Sequence, residues 1–367
     1  MKDFPLVSVI IPMYNASRYI EETIQSVLDQ TWSNIEIIVV DDGSTDNSYN
    51  IVSDINSNKI RLFHQENQGA PVARNFGFSQ SKGDYIQYLD ADDLLSPNKI
   101  EDQLQLLLCN DTCCVSFCPF VVYRDNQEMN IWENVSKTSH TYTSGFDFLV
   151  DLWTYYLPSY VPACYLLPRT LIEKTGPWDE SLLKNQDGEY MSRVLLNTSK
   201  VCCSQNSKVL WRYVPTSISH FQTYPKLLSL FESYKKIANL MIDYENSNRV
   251  KRAISIAMGY LIYTESTYVF SFKIMKYCHS ISIHPQYPKE FRAGTSVVWH
   301  RIPWTLGCYG IWNESTRRQH YDTLCSIDNR IVLTGEHCSH IPAWQEGAIL
   351  SGMDAAKRLH KKAKMLG

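Results

Sequence analysis

Two groups of acidic residues follow apolar segments that resemble buried β-strands. Asp41-Asp42-Gly43-Ser44 comes directly after the segment Ile35 to Val40, and Asp90-Ala91-Asp92-Asp93 comes after the segment Tyr85 to Leu89. In an open α/β sheet the carboxyl ends of the strands are where ligands bind. Three crowded carboxylates repel one another unless a cation neutralises them, and oxygen ligands suit Mg²⁺ or Mn²⁺. The pattern predicts a divalent metal ion that holds a pyrophosphate.

The first acidic group also has a simpler interpretation. Asp-Gly-Ser is common in turns, so Asp41-Asp42-Gly43-Ser44 alone would be a turn about half the time. The second acidic group, at the end of another strand candidate, favours the ligand site.

The elements that would position these carboxylates alternate between strands and helices. The apolar segments Val7 to Met13 and Ile35 to Val40 are each followed by an amphipathic helical pattern, with Ser17 and Asp46 as the expected N-caps. Continuous apolar strands separated by such helices predict a parallel sheet covered on both faces. A shorter strand is expected at Arg61 to His64.

Motifs in the first part of the chain resemble a known family. The segments VSVIIPMYNASRYIEETIQSVLDQTWSNIEIIVVDDGSTDNS and ENQGAPVARNFGFSQSKGDYIQYLDADD follow one another in the order typical of glycosyltransferase family 2. The resemblance continues through Gly176 to Glu180, Asn185 to Tyr190 and Trp211 to Tyr213. It implies an α/β GT-A fold, Rossmann-like and mostly parallel, at residues 1–220, and we expect a helical extension at residues 221–290.

The resemblance also implies roles for individual positions. Asp42 would accept a hydrogen bond from the base, typically uracil, and Asp92 would be the direct ligand of Mn²⁺ or Mg²⁺ beside Asp90. Asp187 would be the catalytic base, although Gln186 stands where the family has Glu; the alternative for Asp187 is an ordinary aspartate at a helix start. The implied nucleotide-sugar pocket consists of Pro12, Tyr14, Asn15, Asp42, Arg74 and Asp90.

The end of the chain resembles a different family. The segments VVWHRIPWTLGCYGIW and RIVLTGEHCSHIPAWQEGAILSGMDAAKRLHKKA are similar to the C-terminal end of flavin-dependent amine and amino-acid oxidases, so we expect an oxidase-like α/β tail at residues 291–367. The positions that would face a flavin are Tyr309, Gly335, Glu336 and Trp344. FAD binding also needs a GxGxxG turn, yet no two of the 15 glycines are separated by a single residue. We therefore expect that this tail does not bind FAD by itself.

Composition narrows the class of protein further. Hydrophobic residues make up 44% and charged residues 20% of the chain, which predicts a folded protein. The net charge of −3 gives no field that would hold nucleic acid. The 11 cysteines include the adjacent pairs Cys113-Cys114 and Cys202-Cys203, which favours buried thiols in a reducing cytoplasm over disulfides or a zinc site.

The sequence thus predicts a metal-dependent inverting glycosyltransferase. It would move a sugar from a nucleotide sugar, for which we expect a UDP-sugar, to a glycan, lipid-linked or other hydroxyl acceptor in the synthesis of surface polysaccharide or glycoconjugates. We expect it in the cytoplasm, and a lipid-linked acceptor would bring it to the inner face of the membrane. The alternatives are a flavin-dependent oxidase module or a transferase-oxidase fusion whose partner chain supplies the FAD site, and a nonenzymatic scaffold. Flavin absorbance would favour the oxidase, and stabilisation by UDP with Mn²⁺ would favour the transferase.

Overall fold

The fold is known from a computed structural model, which describes residues 4–110, 113–124, 127–129, 141–155, 161–214, 223–265, 277–278, 327–328 and 331–332. The chain divides into two compact units, residues 1–294 and 295–367. In the second unit, the described residues form two short antiparallel strands, Ile327–Asp328 and Ile331–Val332. The domain boundaries expected at residues 220 and 290 stay predictions.

Strands and helices alternate one by one over residues 7–88, as the sequence predicts, and less regularly in the rest of the first unit. The strands are β1 Val7–Met13, β2 Ile35–Asp42, β3 Ile60–Gln65, β4 Tyr85–Tyr88, β5 Leu94–Leu95, β6 Cys114–Phe117, β7 Phe120–Arg124, β8 Gln127–Met129, β9 Tyr165–Pro168, β10 Lys200–Cys203 and β11 Val209–Arg212. The helices are α1 Ile20–Leu28, α2 Ser48–Asp54, α3 Ala70–Gln80, α4 Lys99–Leu108, α5 Gly145–Thr154, α6 Arg169–Thr175, α7 Gln186–Leu196, α8 Tyr224–Tyr244 and α9 Asn248–Glu265.

The main sheet has seven strands in the order β10-β6-β9-β4-β1-β2-β3. β3, β2, β1 and β4 pair in parallel, as do β6 and β10, whereas β9 runs antiparallel to both β4 and β6. The predicted α/β fold with a mostly parallel sheet is confirmed. β1 lies in the middle of the parallel part, and its residues Val7, Val9, Ile10 and Ile11 are fully buried. A strand covered on both faces needs such a continuous apolar segment.

The strand ends differ from the sequence predictions by one or two residues. β2 was expected to end at Val40 but continues through Asp42, because Asp41 and Asp42 pair with His64 and Gln65 of β3. β4 ends at Tyr88 rather than Leu89. Each difference shifts the start of the following loop and leaves the acidic groups at the carboxyl edge of the sheet.

Both predicted N-caps were placed incorrectly. Tyr19, not Ser17, is the N-cap residue of α1, and Asn47, not Asp46, is that of α2. The reason is a contact between the two loops, since the Asp46 carboxylate accepts hydrogen bonds from the backbone N–H of Ser17 and that of Ser48. Asp46 therefore connects two helix starts and does not cap one of them in the usual way.

A smaller sheet and the C-terminal helices complete the first unit. The smaller sheet has the order β5-β11-β7-β8. α3 packs on β1 and β2, α4 packs on β6 and β9, and α8 packs on α7 and α9. The expected helical extension is therefore confirmed for the described parts of residues 221–290. Within the described residues, no helix is long and apolar enough to cross a membrane.

The described cysteines agree with the thiol prediction. None of the eight described cysteines forms a disulfide, and Cys114, Cys118, Cys164, Cys202 and Cys278 are buried. The structure thus places most of these thiols in the core.

Close packing of α3 on the sheet gives a stability prediction. A Cβ added at Gly77 would lie 2.5 Å from Cγ2 of Ile10 and 3.3 Å from Cγ2 of Val40. We expect Gly77→Ala to lower the free energy of unfolding by about 1–3 kcal/mol because the added methyl overpacks the core. Gly259→Ala is the control, since no atom of the part of the chain that the structure describes lies within 4 Å of a Cβ there; it should stabilise helix α9 by about 0.5–1 kcal/mol. Urea unfolding measures the free energy of unfolding of both variants. Equal changes in the two variants would contradict the close packing at Gly77.

Candidate active site

The loops that follow β1 and β2 are connected to each other by hydrogen bonds. Asn15 has a left-handed backbone with φ of 50°. Its backbone N–H donates to Oγ of Ser44 over 2.9 Å, and its side-chain Oδ1 accepts from the backbone N–H of Thr45 over 2.7 Å. The N–H of Ala16 donates to Oγ of Ser48 over 2.8 Å. These contacts give the edge of the sheet beside β1 one defined shape.

Asp46 strengthens the same connection electrostatically. Burial opposes its ionisation, but hydrogen bonds from Ser48 and Ser17 outweigh that effect and lower the pKa of Asp46 to about 2. A carboxylate that accepts several hydrogen bonds is stabilised in its charged form. The two loops are thus joined by a charge that persists throughout the neutral range.

Of the residues predicted to line the pocket, Pro12 and Tyr14 lie at the end of β1. Pro12 is half-buried and pairs with Val40 in the sheet. Tyr14 is exposed, so its ring is accessible to a ligand.

Asp42 is buried and holds the start of helix α3. Its carboxylate accepts from Nε2 of Gln65 over 2.7 Å, from the N–H of Gln68 over 2.9 Å and from the N–H of Gly69 over 2.8 Å. Gly69 is the N-cap residue of α3 and has a φ of 94°, a conformation that favours glycine. Asp42 therefore positions α3 in addition to any role in base recognition, which stays a prediction.

Asp41 does make the turn contact of the simpler interpretation. Its Oδ1 accepts from the N–H of Ser44 over 3.2 Å, and its Oδ2 lies 2.7 Å from Nδ1 of His64. The acidic segment at the end of β2 is thus a structured turn, and it also lies at the edge of the sheet where ligands are expected.

Arg74 of α3 joins the two acidic parts of the site. Its side chain is buried, and Nη2 lies 2.8 Å from Oδ1 of Asp90 whereas Nη1 lies 3.4 Å from Oδ1 of Asp187. Burial favours the neutral guanidine, but the charges of Asp187 and Asp90 outweigh it and raise the pKa of Arg74. Two residues that are 97 positions apart in the sequence therefore share one cation.

An aromatic stack lies beside this cation. The Arg74 guanidinium sits 4.5 Å from the ring centroid of Trp178, and Trp178 stacks on Tyr190 with centroids 3.9 Å apart. Arg193 lies over Tyr190 at 5.3 Å and forms a two-point ion pair with Glu189, at 2.7 and 2.9 Å. Cations attract the faces of aromatic rings, so the stack connects α3 to α7.

Neither this stack nor the role of Arg212 is predicted from the sequence. Trp178 and Tyr190 were recognised only as parts of motifs, and no periodicity links them to residue 74. Arg212 donates from its backbone N–H to Oδ1 of Asp93 over 2.9 Å and from Nε to the carbonyl of Asp92 over 2.9 Å. It therefore holds the acidic turn after β4 in place.

The carboxylates of this acidic turn lie in an environment that disfavours charge. Burial and the charge of Asp90 raise the pKa of Asp92 to about 6, and burial together with Asp92 and Asp90 raises that of Asp93 well above its usual range. A nearby cation stabilises the ionised form of such carboxyl groups. Among the described residues, no group of three or more His, Cys, Asp or Glu side chains is arranged to hold a metal ion alone. The oxygen ligands of Asp90 and Asp92 suit Mg²⁺ or Mn²⁺ if a phosphate-bearing donor and water supply the remaining ligands.

Asp187 occupies the first turn of α7. Its Oδ1 is buried and has no hydrogen-bond partner among the described residues. Burial raises the pKa of Asp187, the charge of Arg74 opposes that rise, and the charge of Asp90 adds to it. Gln186, the departure from the family pattern, donates from Nε2 to the carbonyl of Leu182 over 2.7 Å and so stabilises the preceding loop.

The structure therefore brings Arg74, Asp90 and Asp187 into direct contact and places the other predicted pocket residues along the same edge. Parallel β4, β1 and β2 are neighbours, so Asp90, Asn15 and Asp42 lie at the ends of adjacent strands. The positions with a predicted flavin role, Tyr309, Gly335, Glu336 and Trp344, lie outside the described residues.

Comparison with protein families confirms both resemblances. Residues 8–176 match the family model of glycosyl transferase family 2, and residues 274–360 match that of flavin containing amine oxidoreductases. The first match contains Arg74 and the acidic segments at residues 41–42 and 90–93, whereas Asp187 lies beyond its end.

Individual relatives match part of the chain. An uncharacterized glycosyltransferase of Rickettsia typhi is 38% identical over 194 residues, which are 52% of this chain and 59% of that protein. The putative teichuronic acid biosynthesis glycosyltransferase TuaG of Bacillus subtilis is 43% identical over 116 residues, which are 31% of this chain and 46% of that protein. The chain thus spans about half the length of these curated relatives.

Solved structures share the fold. TarS 1–349 of S. aureus in complex with UDP-GlcNAc has a TM-score of 0.62 at 17% identity, and the match covers 75% of this chain and 81% of that one. The same protein in complex with UDP has a TM-score of 0.57 at 19% identity, with 73% and 75% covered. This likeness establishes a GT-A architecture for the described N-terminal unit.

The buried contact between Arg74 and Asp90 can be measured by a double-mutant cycle. We expect a coupling free energy of about 1–2 kcal/mol between Arg74→Met and Asp90→Asn, reduced from that of a fully buried pair because the Asp90 side chain is about a third exposed. The control cycle uses Lys235 and Glu232, an exposed pair 3.2 Å apart, which should couple by only about 0.3–0.5 kcal/mol. Urea unfolding of the single and double variants gives both values, and equal coupling in the two cycles would contradict the buried bridge.

Proposed function

We propose that this chain, whose residues 8–176 match the family model of glycosyl transferase family 2, transfers a sugar from a UDP-sugar to a hydroxyl acceptor with inversion at the anomeric carbon. The observation that carries this proposal is the contact of one buried cation, Arg74, with both Asp90 and Asp187. A donor-side and an acceptor-side carboxylate are thereby held in one site, as a displacement reaction between two substrates requires.

The donor side is proposed to bind the nucleotide at the edge formed by β1 and β2. The exposed ring of Tyr14 and the fastened loop at Asn15 provide a surface of fixed shape. Asp42 would use its remaining acceptor capacity for the base. S. aureus TarS, which shares the fold, has been crystallised with UDP and with UDP-GlcNAc, and this supports a uridine nucleotide.

Asp90 and Asp92 are proposed to hold Mn²⁺ or Mg²⁺. When bound there, the ion would offset charge on the diphosphate and so improve it as a leaving group. Arg212 fixes the backbone of the turn through the Asp92 carbonyl, so the ligand carboxylates start from a defined position.

Asp187 is proposed to accept the proton of the acceptor hydroxyl. Its raised pKa makes it a stronger base than an exposed aspartate, and its buried Oδ1 has no hydrogen-bond partner to displace among the described residues. The charge of Arg74 favours the ionised form of Asp187 and so limits the rise in pKa that burial causes. Because the chain then supplies a base and no nucleophile, attack comes directly from the acceptor oxygen and the anomeric configuration inverts.

The acceptor is proposed to be a glycan or a lipid-linked glycan of the cell surface. The support is the similarity to TuaG, which is described as a putative teichuronic acid biosynthesis enzyme. A lipid-linked acceptor would place the reaction at the inner face of the membrane.

The match of residues 274–360 to flavin containing amine oxidoreductases supports a second candidate, an oxidase module that needs another chain for FAD. The missing glycine-rich turn argues against binding by this chain alone. Purification of the full chain, alone and with any chain that co-purifies, decides between the two candidates: one FAD per chain in either preparation would favour the oxidase, and hydrolysis of one nucleotide sugar from a panel would favour the transferase.

Asp187→Asn tests the base. The amide is nearly isosteric and accepts no proton, so kcat should fall about 10²- to 10⁴-fold while UDP affinity is retained. In the unmodified enzyme the rate should fall as the pH drops through the pKa of Asp187, at a pH above the usual carboxylate value of 3.8 because that pKa is raised. Steady-state kinetics measure kcat and its dependence on pH, and titration calorimetry measures the affinity for UDP. Glu173→Gln, an exposed acid on α6, is the control, and an unchanged kcat in Asp187→Asn would show that the base lies elsewhere.

Asp92→Asn tests the metal ligand. UDP with Mn²⁺ should raise the melting temperature of the unmodified chain, since a ligand that binds only the folded state stabilises it. The variant should lose most of the increment that Mn²⁺ adds to UDP, and its residual activity should no longer respond to EDTA. Asp54→Asn removes an exposed carboxylate and should behave as the unmodified chain. Full Mn²⁺-dependent stabilisation of Asp92→Asn would refute the assignment.

A further inference from the structure

Helix α8 contacts the loop that leads into Asp187. It lies outside the segment matched to family 2, which ends at residue 176. The side chains of Ser229, Ser233 and Lys236 contact this loop, at spacings of four and three residues that place them on one face of a helix. The loop in question comprises residues 179–185, between Trp178 of the aromatic stack and the start of α7.

Each of these three side chains binds a different part of the loop. Oγ of Ser229 accepts from the backbone N–H of Leu183 over 2.7 Å. Oγ of Ser233 accepts from Nδ2 of Asn185 over 2.9 Å. Lys236 forms an ion pair with Asp179 at the start of the loop. Burial opposes ionisation of Asp179, but hydrogen bonds from Lys236 and Ser181 hold its pKa below the usual value.

The contact at Asn185 controls the backbone directly before Asp187. Asn185 is the N-cap residue of α7 and has a left-handed conformation, with φ of 58°. A residue other than glycine keeps this conformation only when its surroundings compensate for the cost. Its carbonyl accepts from the N–H of Glu189 over 3.2 Å and so closes the first turn of α7.

The Asn185 side chain is enclosed on both sides. A Cβ added at Gly188 would lie 2.4 Å from Oδ1 of Asn185, so the amide fills the space that glycine leaves. On the other side, Ser233 is fully buried and its hydroxyl donates to the carbonyl of Leu230 over 2.7 Å, which leaves the oxygen oriented to accept from Asn185. The amide therefore has one fixed position, and the Asp187 carboxylate, two residues further, is directed at Arg74.

We propose that Ser233 is a positioning residue for the transfer reaction: through Asn185 it fixes the first turn of α7 and thereby the place of the Asp187 carboxylate. This inference rests on the proposed function of Asp187 as the base. It assigns to the helical extension a part in the reaction itself, because a displacement of about 1 Å in a catalytic group can cost about 10²-fold in rate.

The experiment compares Ser233→Ala, Asn185→Gly and Lys235→Ala in the full chain. Ser233→Ala removes the acceptor, and Asn185→Gly keeps the left-handed backbone without strain but removes the amide. Lys235→Ala is the control, since it removes an exposed side chain on the same helix that pairs only with Glu232 among the described contacts. Hydrogen exchange of peptides from residues 180–190, kcat at saturating acceptor, and UDP affinity are measured for each.

We expect Ser233→Ala and Asn185→Gly to exchange faster within residues 180–190 but not in β1, and to lose about 10- to 100-fold in kcat at unchanged UDP affinity. Lys235→Ala should match the unmodified chain in all three measurements. Unchanged exchange at residues 180–190 in both variants, or faster exchange throughout β1 as well, would overturn the proposal. If no nucleotide sugar is turned over by the unmodified chain, the proposed function fails, while the exchange pattern still decides whether Ser233 orders the Asp187 segment.

Discussion

The buried guanidinium of Arg74 needs compensating partners, and this need constrains the fold more than any other contact of the site. A charge removed from water is costly unless partners compensate for it, and Arg74 has Asp90, Asp187 and the face of Trp178 within reach. These partners come from the turn after β4, the start of α7 and the loop before it. Any change that separates these elements leaves a buried charge without compensation, so the geometry of the site and the packing of the fold are coupled.

Several hydrogen bonds hold the elements that surround the Arg74 guanidinium in place. Asp42 anchors the start of α3 through Gly69, which sets where the helix presents Arg74. Asn75, the next residue, donates from Nδ2 to the carbonyl of Trp178 over 3.1 Å and accepts from its N–H over 2.9 Å, so the backbone of Trp178 is held against the same helix. On the far side, Arg193 donates to the carbonyls of Thr175 and Pro177 and thereby joins α7 to the end of α6. The aromatic stack is thus held from both ends.

The sequence predicted the features that depend on local pattern. β1 and β2 are continuous apolar segments, so their existence and approximate ends followed from composition, and the carboxylates that follow strands were expected at the edge of the sheet. The features that depend on contacts between distant residues were not predicted. The left-handed backbones of Asn15 and Asn185 are stabilised by Ser44, Thr45 and Ser233, and no local signal reveals such partners. The N-cap errors at Ser17 and Asp46 have the same cause, because the Asp46 carboxylate accepts from the N–H of Ser17 in the other loop as well as from that of Ser48 at the start of α2.

Burial together with a surplus of negative charge raises the pKa values of Asp92, Asp93 and Asp187. Four carboxylates share two guanidinium groups in this site, so the cluster carries more negative than positive charge when all are ionised. The carboxylates are those of Asp90, Asp92, Asp93 and Asp187, and the guanidinium groups are those of Arg74 and Arg212. Arg212 also forms an ion pair with Glu22 at 2.5 Å. Part of its positive charge is therefore neutralised by a carboxylate outside the acidic turn. A nucleoside diphosphate would add negative charge to this surplus and would be repelled by it. A divalent cation held by Asp92 would reduce both penalties, since it would lower the repulsion among the carboxylates and supply an attraction that the donor lacks. The burial and crowding of Asp92 and Asp93, which raise the pKa values of both carboxyl groups, support a cation in the proposed reaction.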